Sequence, residues 1–182
     1  MKRLKPIAIN AYAVIAAAVF LDSLRYKFTN APETQTIFGK LDAWAASFGA
    51  EGLFSQTGLF SQYVIGSAEL IAASLLLIGI LPQFKKLQAV GALVAAAVMT
   101  GAVSFHMFTP LGIDPNNDGG GLFMMAVTVW AGSVFTLLMR VGDILGILGA
   151  IGGAMRSDNL SSTSANTASP KEWTSVEHAS AN

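Results

Sequence analysis

Long apolar runs alternate with polar connections along this chain. Four runs, at residues 7–24, 63–81, 87–108 and 121–139, contain almost no charged side chains. As an α-helix, each run is long enough to cross a hydrocarbon core of about 30 Å, within a few ångströms. The pattern therefore predicts an all-α integral membrane protein, a four-helix bundle whose transmembrane domain covers residues 1–156.

The connection between the first two runs, residues 25–61, is too interrupted to span a membrane. Pro32 stands where a helix can begin, and apolar side chains then recur every three or four residues, at Ile37, Leu41, Trp44 and Phe48. This single stripe predicts a short interfacial helix between spans one and two, with Trp44 as its aromatic anchor. Glycines at 49, 52 and 58 predict a break before the second span.

Residues 141–156 are apolar again but include Asp143 and five glycines. A continuous helix from Gly121 to Met155 would measure about 52 Å, which is too long for one crossing. We expect this segment to lie on the membrane surface, and a short fifth span is the alternative. Residues 157–182 are rich in Ser, Thr, Asn and Ala without periodicity, which predicts a disordered tail.

The composition also favours a membrane protein. The chain is 53% hydrophobic and 12% charged, with a mean hydropathy of +0.55, whereas soluble domains are about a quarter charged. Eleven basic residues balance eleven acidic ones, so no net field favours nucleic acid. The absence of cysteine excludes disulfides and dithiol exchange, and two histidines are too few for a usual zinc site, so no metal is expected.

Basic residues set the expected orientation. With four spans, the basic N-terminus, the turn residues Lys85 and Lys86, and Arg140 fall on one side, while the loop at 109–120 on the other side has no basic residue. The positive-inside rule makes the basic side cytoplasmic, so both termini and the tail are expected inside the cell. The alternative for the N-terminus, a secretory signal, lacks a clear small-residue cleavage site.

Four ionisable side chains are expected near the outer ends of the spans: Asp22, Arg25, Glu69 and His106. Asp22 and Arg25 stand three residues apart on one helix and can pair. An ionised carboxylate in hydrocarbon costs about 2.5 kcal/mol or more, so Glu69 should face the bundle interior, either protonated or paired with Arg25 or His106. Together the four residues predict a polar pocket that opens outward.

This pocket has two interpretations. In the first, it holds a small polar or quinone-like ligand, or it transfers a proton by means of Glu69 and His106. In the second, Glu69 and His106 form hydrogen bonds across helices and fix the register of those helices. For His106 alone the second interpretation is favoured, because a histidine near the interface can reach water.

The loop sequence DPNNDGGG, which begins at Asp114, copies the first half of a calcium-binding loop. The position that should supply the bidentate glutamate is Met125, which lies inside the fourth span. The sequence therefore favours a tight turn here over a calcium site.

Several short motifs resemble those of the DoxX-like membrane proteins, which are small four-helix bacterial proteins. They are GSAEL at 66–70, LLLIGILP at 75–82, SFHMF at 104–108, LRYKFTNAPETQTIF at 24–38 and NDGGGLF at 117–123. The resemblance covers residues 7–139, and Glu69 is its most characteristic position. It implies a bacterial cytoplasmic (inner) membrane location and a link with redox processes, as a quinone-reactive subunit or an accessory protein. Relatives that handle thiols would use cysteines, which this chain lacks.

The resulting hypothesis is a multi-pass accessory or quinone-interacting component of a redox or stress-response system. Its partners would be the lipid bilayer and other membrane or redox proteins. The alternatives are a purely structural membrane partner and a small transporter or channel subunit, which could form a homo-oligomer through glycine and alanine faces. The apolar inner halves of spans two and four argue against a continuous transport path. An enzyme would need a cofactor or nucleophile that the sequence does not identify.

Overall fold

The computed structural model describes residues 4–150 and 152–154, and the tail predicted at 157–182 lies outside them. Among the described residues, the unit that ends at Ile144 contains five complete α-helices and no strand. The helices are α1 (Leu4–Phe28), α2 (Pro32–Ala46), α3 (Gln62–Ile78), α4 (Lys85–Phe108) and α5 (Gly121–Met139). The all-α prediction is therefore confirmed.

Four of these helices pack side by side. α3 packs against α1 and α4, α4 packs against α5, and contacts between α1 and α5 close the ring. Small side chains form much of the core, and they include Ala13, Ala16, Ala72, Ala92 and Ala95. At Gly91 of α4, a Cβ atom would lie 2.8 Å from the backbone nitrogen of Leu76 on α3. Small residues at these positions thus allow the helix backbones to approach closely.

Within the described residues, three helical segments are long and apolar enough to cross a membrane: Lys5–Phe28, Pro82–Phe108 and Gly121–Met139. The last of these matches the predicted run at 121–139 residue for residue. α3 is also apolar but has 17 residues, because the chain turns before Pro82 instead of continuing the helix through residue 81. Its length is therefore about 26 Å, slightly less than the usual hydrocarbon thickness.

The short helix α2 begins at Pro32, as the sequence predicts. Its apolar stripe does not face away from the protein, because Leu41 is buried and Trp44 packs edge-on against Phe105 of α4. Phe48 follows the end of the helix and is 71% exposed. The stripe therefore belongs to a small second core, the cap core, whose buried members are Leu41, Ala45, Phe54 and Leu111. The stripe that predicted an interfacial position is thus largely used for contacts within the protein.

The chain bends after α5. Arg140 has non-helical backbone angles, φ −117° and ψ 20°, and a shorter apolar helix then runs from Val141 to Ala154. Within the described residues, this helix extends beyond Ile144, where the compact unit that contains α1–α5 ends. The described part of the apolar stretch after residue 121 therefore forms two helices that meet at Arg140.

Candidate functional site

Glu69 of α3 is buried, with 3% of its surface exposed, and its partner is Lys27 of α1. Lys27 Nζ lies 3.1 Å from Glu69 Oε1, to which it donates a hydrogen bond, and 3.0 Å from Oε2, which accepts no hydrogen bond. The same ammonium group contacts Ser23 Oγ one turn earlier on α1. Burial of a charge is costly unless the charge is paired, so each member of this ion pair stabilises the burial of the other.

Helical periodicity explains why Lys27 reaches this position. The buried positions of α1 recur every three or four residues at Ala13, Ala17, Phe20 and Leu24, and Lys27 is the next position on that stripe. On the opposite helix, Gly66 packs beside the lysine stem, where a Cβ atom would lie at ordinary van der Waals distance, 3.4 Å, from Lys27 Cδ. The ion pair therefore forms directly across the α1–α3 contact.

The prediction that Glu69 pairs with Arg25 is wrong. Asp22 and Arg25 form the ion pair predicted for them, with 2.9 Å between Asp22 Oδ1 and Arg25 Nη2, but their side chains are 60% and 68% exposed. Positions 22 and 25 lie off the buried stripe of α1, so these side chains point away from α3. No hydrogen bond or ion pair joins either residue to Glu69 in the part of the chain that the structure describes.

His106 is also not the partner of Glu69. It is buried near the end of α4, where its Nδ1 lies 2.6 Å from the carbonyl oxygen of Gly112 and its ring lies 5.7 Å from that of Phe123. These contacts hold the loop that follows α4, and the start of α5, against the end of α4. Such contacts are structural. A structural role is also what the sequence favoured for His106 when this residue is considered by itself. The four predicted residues thus do not form one pocket.

A network of side-chain amides lies next to the ion pair. Buried Gln62 donates from Nε2 to the backbone carbonyl of Lys27 at 2.7 Å and to Asn30 Oδ1 at 3.0 Å. Gln62 Oε1 in turn accepts a hydrogen bond from Gln35 Nε2 at 2.7 Å. Gln35 and Gln56 both donate to Asn30 Oδ1. The network joins the end of α1 to α2 and to the start of α3.

A cleft of about 120 Å³ opens between α2 and the segment that precedes α3. The residues that line it include Gln35, Phe38, Gly39, Asp42, Phe54 and Gln56. None of Asp22, Arg25, Glu69 or His106 lines this cleft. The sequence does not indicate this cleft, because scattered glutamines in a connecting segment carry no periodic signal.

A second buried polar cluster lies at the opposite end of the bundle. Gln88 of α4 is fully buried, donates from Nε2 to Asn10 Oδ1 at 3.1 Å and accepts a hydrogen bond from Arg140 Nη2. Arg140 also pairs with Asp143 at 3.2 Å. The buried positions of α1 between the two polar ends are all apolar: Ala13, Ala16, Ala17 and Phe20. An apolar layer therefore separates the two clusters along α1.

The loop at 109–120 forms a helix cap. Asp118 Oδ1 accepts the N–H of Gly120 at 3.0 Å, and Oδ2 accepts the N–H of Leu122 at 2.9 Å. These backbone donors, Leu122 first among them, hold the pKa of the Asp118 carboxyl below its ordinary value of 3.8. No group of three or more His, Cys, Asp or Glu side chains within residues 4–150 and 152–154 is placed to hold a metal ion.

No protein-family model matches this chain, and comparisons with curated proteins and with solved structures likewise give no match. The DoxX-like resemblance is therefore a hypothesis, and the contacts within the described residues are the observations that bear on the function of the protein.

Proposed function

We propose that this protein is a four-span, DoxX-like protein of the bacterial inner membrane. Three of its helices have the length and apolarity of membrane spans. α3 packs between two of them, α1 and α4, which supports a position alongside them in the membrane. The basic residues Lys85, Lys86 and Arg140 favour cytoplasmic termini.

Within this membrane protein, the proposed role is that of an accessory or quinone-interacting component of a redox or stress-response system. The observation that carries the proposal is the ion pair between Lys27 and Glu69. Ionisable side chains inside spanning helices are energetically expensive and generally mark functional sites.

The hydrogen-bonding capacity of the pair suits both redox forms of a quinone. The Lys27 ammonium has three N–H donors, of which Ser23 and Glu69 Oε1 take two, so one remains for a quinone carbonyl oxygen. Glu69 Oε2 accepts no hydrogen bond but is buried, so it can accept one from a quinol hydroxyl group only when the α1–α3 contact opens to admit the ligand. The Lys27 side chain retains 15% exposure, which gives a ligand a point of approach.

The transporter or channel alternative receives less support. A transport path needs polar groups through the full depth of the bundle, whereas the buried positions of α1 between residues 13 and 20 are apolar. The purely structural alternative makes a different prediction, because an ion pair that only joins α1 to α3 would affect stability and no ligand.

Titration of the purified protein in lipid nanodiscs with a short-chain ubiquinone analogue tests the proposal. Intrinsic tryptophan fluorescence measures the binding. Saturable quenching is expected for the wild-type protein, and at least about tenfold weaker binding for Glu69→Gln, because hydrogen bonds to charged groups contribute about 1.5–3 kcal/mol. Asp22→Asn removes an exposed carboxylate and should bind as the wild type does. Unchanged affinity in Glu69→Gln, or no saturable binding in the wild type, contradicts the proposal.

A further inference from the structure

The cleft beside α2 carries an inference that does not depend on the Lys27–Glu69 pair. We propose that this cleft binds a small organic cation with N–H donors, and specifically a primary ammonium group. The proposal rests on three features of the cleft: the orientation of its amides, an unpaired carboxylate, and a glycine in the middle of a helix.

The amide orientations follow from one backbone carbonyl. Lys27 O can only accept, so the Gln62 atom that contacts it is Nε2, and Gln62 Oε1 must then be the acceptor for Gln35. Gln62 Nε2 also contacts Asn30, which must therefore present its oxygen, so the Gln56 atom on that oxygen is also Nε2. Every amide nitrogen of the three glutamines thus points into the network.

This arrangement leaves two side-chain oxygens without a hydrogen-bond donor, and both belong to residues that line the cleft. Gln35 Oε1 and Gln56 Oε1 accept no hydrogen bond from the described part of the chain, and both residues line the cleft. A carbonyl oxygen has acceptor capacity and no proton to donate. The two glutamines therefore favour a ligand that is rich in N–H donors.

Asp42 adds negative charge to the same cleft. Its Oδ1 accepts the backbone N–H of Phe54 at 2.9 Å, and no Lys, Arg or His of the described residues lies within ion-pair distance of its carboxylate. Phe38 and Phe54 also line the cleft, and aromatic faces attract cations. A carboxylate, amide oxygens and aromatic rings together suit an ammonium group better than an anion or a neutral acceptor.

Gly39 lines the cleft and contributes no side chain to it. It lies in the interior of α2, where glycine is less favourable than alanine, and a Cβ atom there would meet nothing within 4 Å. Close packing therefore does not require a glycine at this position. Because Gly39 lines the cleft, a long side chain at this position is expected to occupy part of its space.

An ammonium group with N–H donors could come from a free amine or from the headgroup of phosphatidylethanolamine. Phosphatidylcholine carries a quaternary ammonium without N–H donors. It can therefore neutralise the carboxylate of Asp42 but cannot donate a hydrogen bond to the two amide oxygens. Comparison of the two lipids therefore separates these sources.

Calorimetric titration of the full chain with ethanolamine and with putrescine, in phosphatidylcholine nanodiscs, tests the proposal. Saturable binding is expected for the wild-type protein. Asp42→Asn should weaken it at least about tenfold, because a charge-assisted hydrogen bond is lost while Oδ1 can still accept from Phe54. Gly39→Leu should abolish it by filling the cleft. Glu51→Gln, which removes an exposed carboxylate that does not line the cleft, should bind as the wild type does.

Weaker amine binding in nanodiscs that contain phosphatidylethanolamine identifies the headgroup as the natural occupant, and unchanged binding identifies a free amine. If Asp42→Asn does not fold, judged by circular dichroism, Gly39→Leu carries the test because it leaves all the hydrogen-bonding side chains in place. No saturable binding in the wild type, or wild-type affinity in folded Gly39→Leu, overturns the proposal. Asp42→Asn should leave quinone binding unchanged, so failure of either proposal is distinguishable from failure of the other.

Discussion

Lys27 Nζ lies 3.1 Å from Glu69 Oε1 and 3.0 Å from Glu69 Oε2, and this contact joins α1 to α3. Both side chains are largely buried, with 15% and 4% exposure. The other ion pairs among the described residues join side chains three positions apart in the chain. The pair between Lys27 and Glu69 is therefore the one described ion pair that can fix two helices relative to each other.

Removal of one member of this pair should destabilise the protein. Lys27→Met leaves the Glu69 carboxylate buried and unpaired, which should lower the free energy of unfolding by about 3–5 kcal/mol. The double variant Lys27→Met/Glu69→Leu should recover most of that loss, because apolar side chains can replace a buried ion pair. Reversible unfolding in mixed micelles, followed by circular dichroism, measures both effects. Wild-type stability in the single variant would show that the pair is not buried as described.

The absence of native cysteine allows a direct test of four spans. Single cysteines are introduced at Leu59, Gln83 and Ile113, which are all exposed. In intact cells, an impermeant maleimide should label the first and third positions, and it should label position 83 only after permeabilisation. Because α3 lies between residues 59 and 83, opposite accessibility means that this 17-residue helix crosses the membrane. Equal accessibility of those two positions would exclude a crossing by α3.

The polar cluster at the other end of the bundle should contribute to stability. Gln88→Met leaves Asn10 and Arg140 without a shared partner, which should cost about 1–3 kcal/mol. Gln83→Met is a matched control, because Gln83 is exposed in the turn before α4 and should tolerate the same change. The two melting temperatures give the comparison, and equal values would contradict the predicted role of Gln88.

The cap of α5 should depend on pH through Asp118. The folded-state pKa of this carboxyl is lowered, so its contribution is fully present above the ordinary pKa of 3.8 and is lost as the pH falls through the lowered value. Asp118→Asn replaces one acceptor oxygen. It should lower the free energy of unfolding by at most about 1 kcal/mol at neutral pH, since the site is exposed and solvent-screened. The stability difference between the wild type and Asp118→Asn should therefore shrink in acid. A difference that is constant from about pH 6 to pH 2 contradicts this assignment.

The sequence predicted much of the helical framework. The apolar runs predicted the position of α5, and Pro32 predicted the start of α2. The spacing of Asp22 and Arg25 predicted their ion pair. These features are local, since each depends on residues within a few turns of one another. The contacts of α2 with the rest of the protein depend on the fold of the following segment, so its stripe alone suggested an interfacial position.

The partner of Glu69 was missed, although a signal for it was present. Phe20, Leu24 and Lys27 follow the three-and-four spacing of a buried stripe, whereas Asp22 and Arg25 do not. Extension of that stripe to the end of α1 would have selected Lys27. The amide network has no such signal, because the contact of Gln62 with the end of α1 exists only after the helices pack.

The most direct test of the central claim combines stability with ligand binding in one protein. The double variant Lys27→Met/Glu69→Leu is titrated with the short-chain ubiquinone analogue, after circular dichroism has established that it is folded. If the ion pair is a ligand site, this stable variant should show no saturable quenching, because its donor and its acceptor are both absent. Saturable binding at wild-type affinity in the folded double variant would contradict the account.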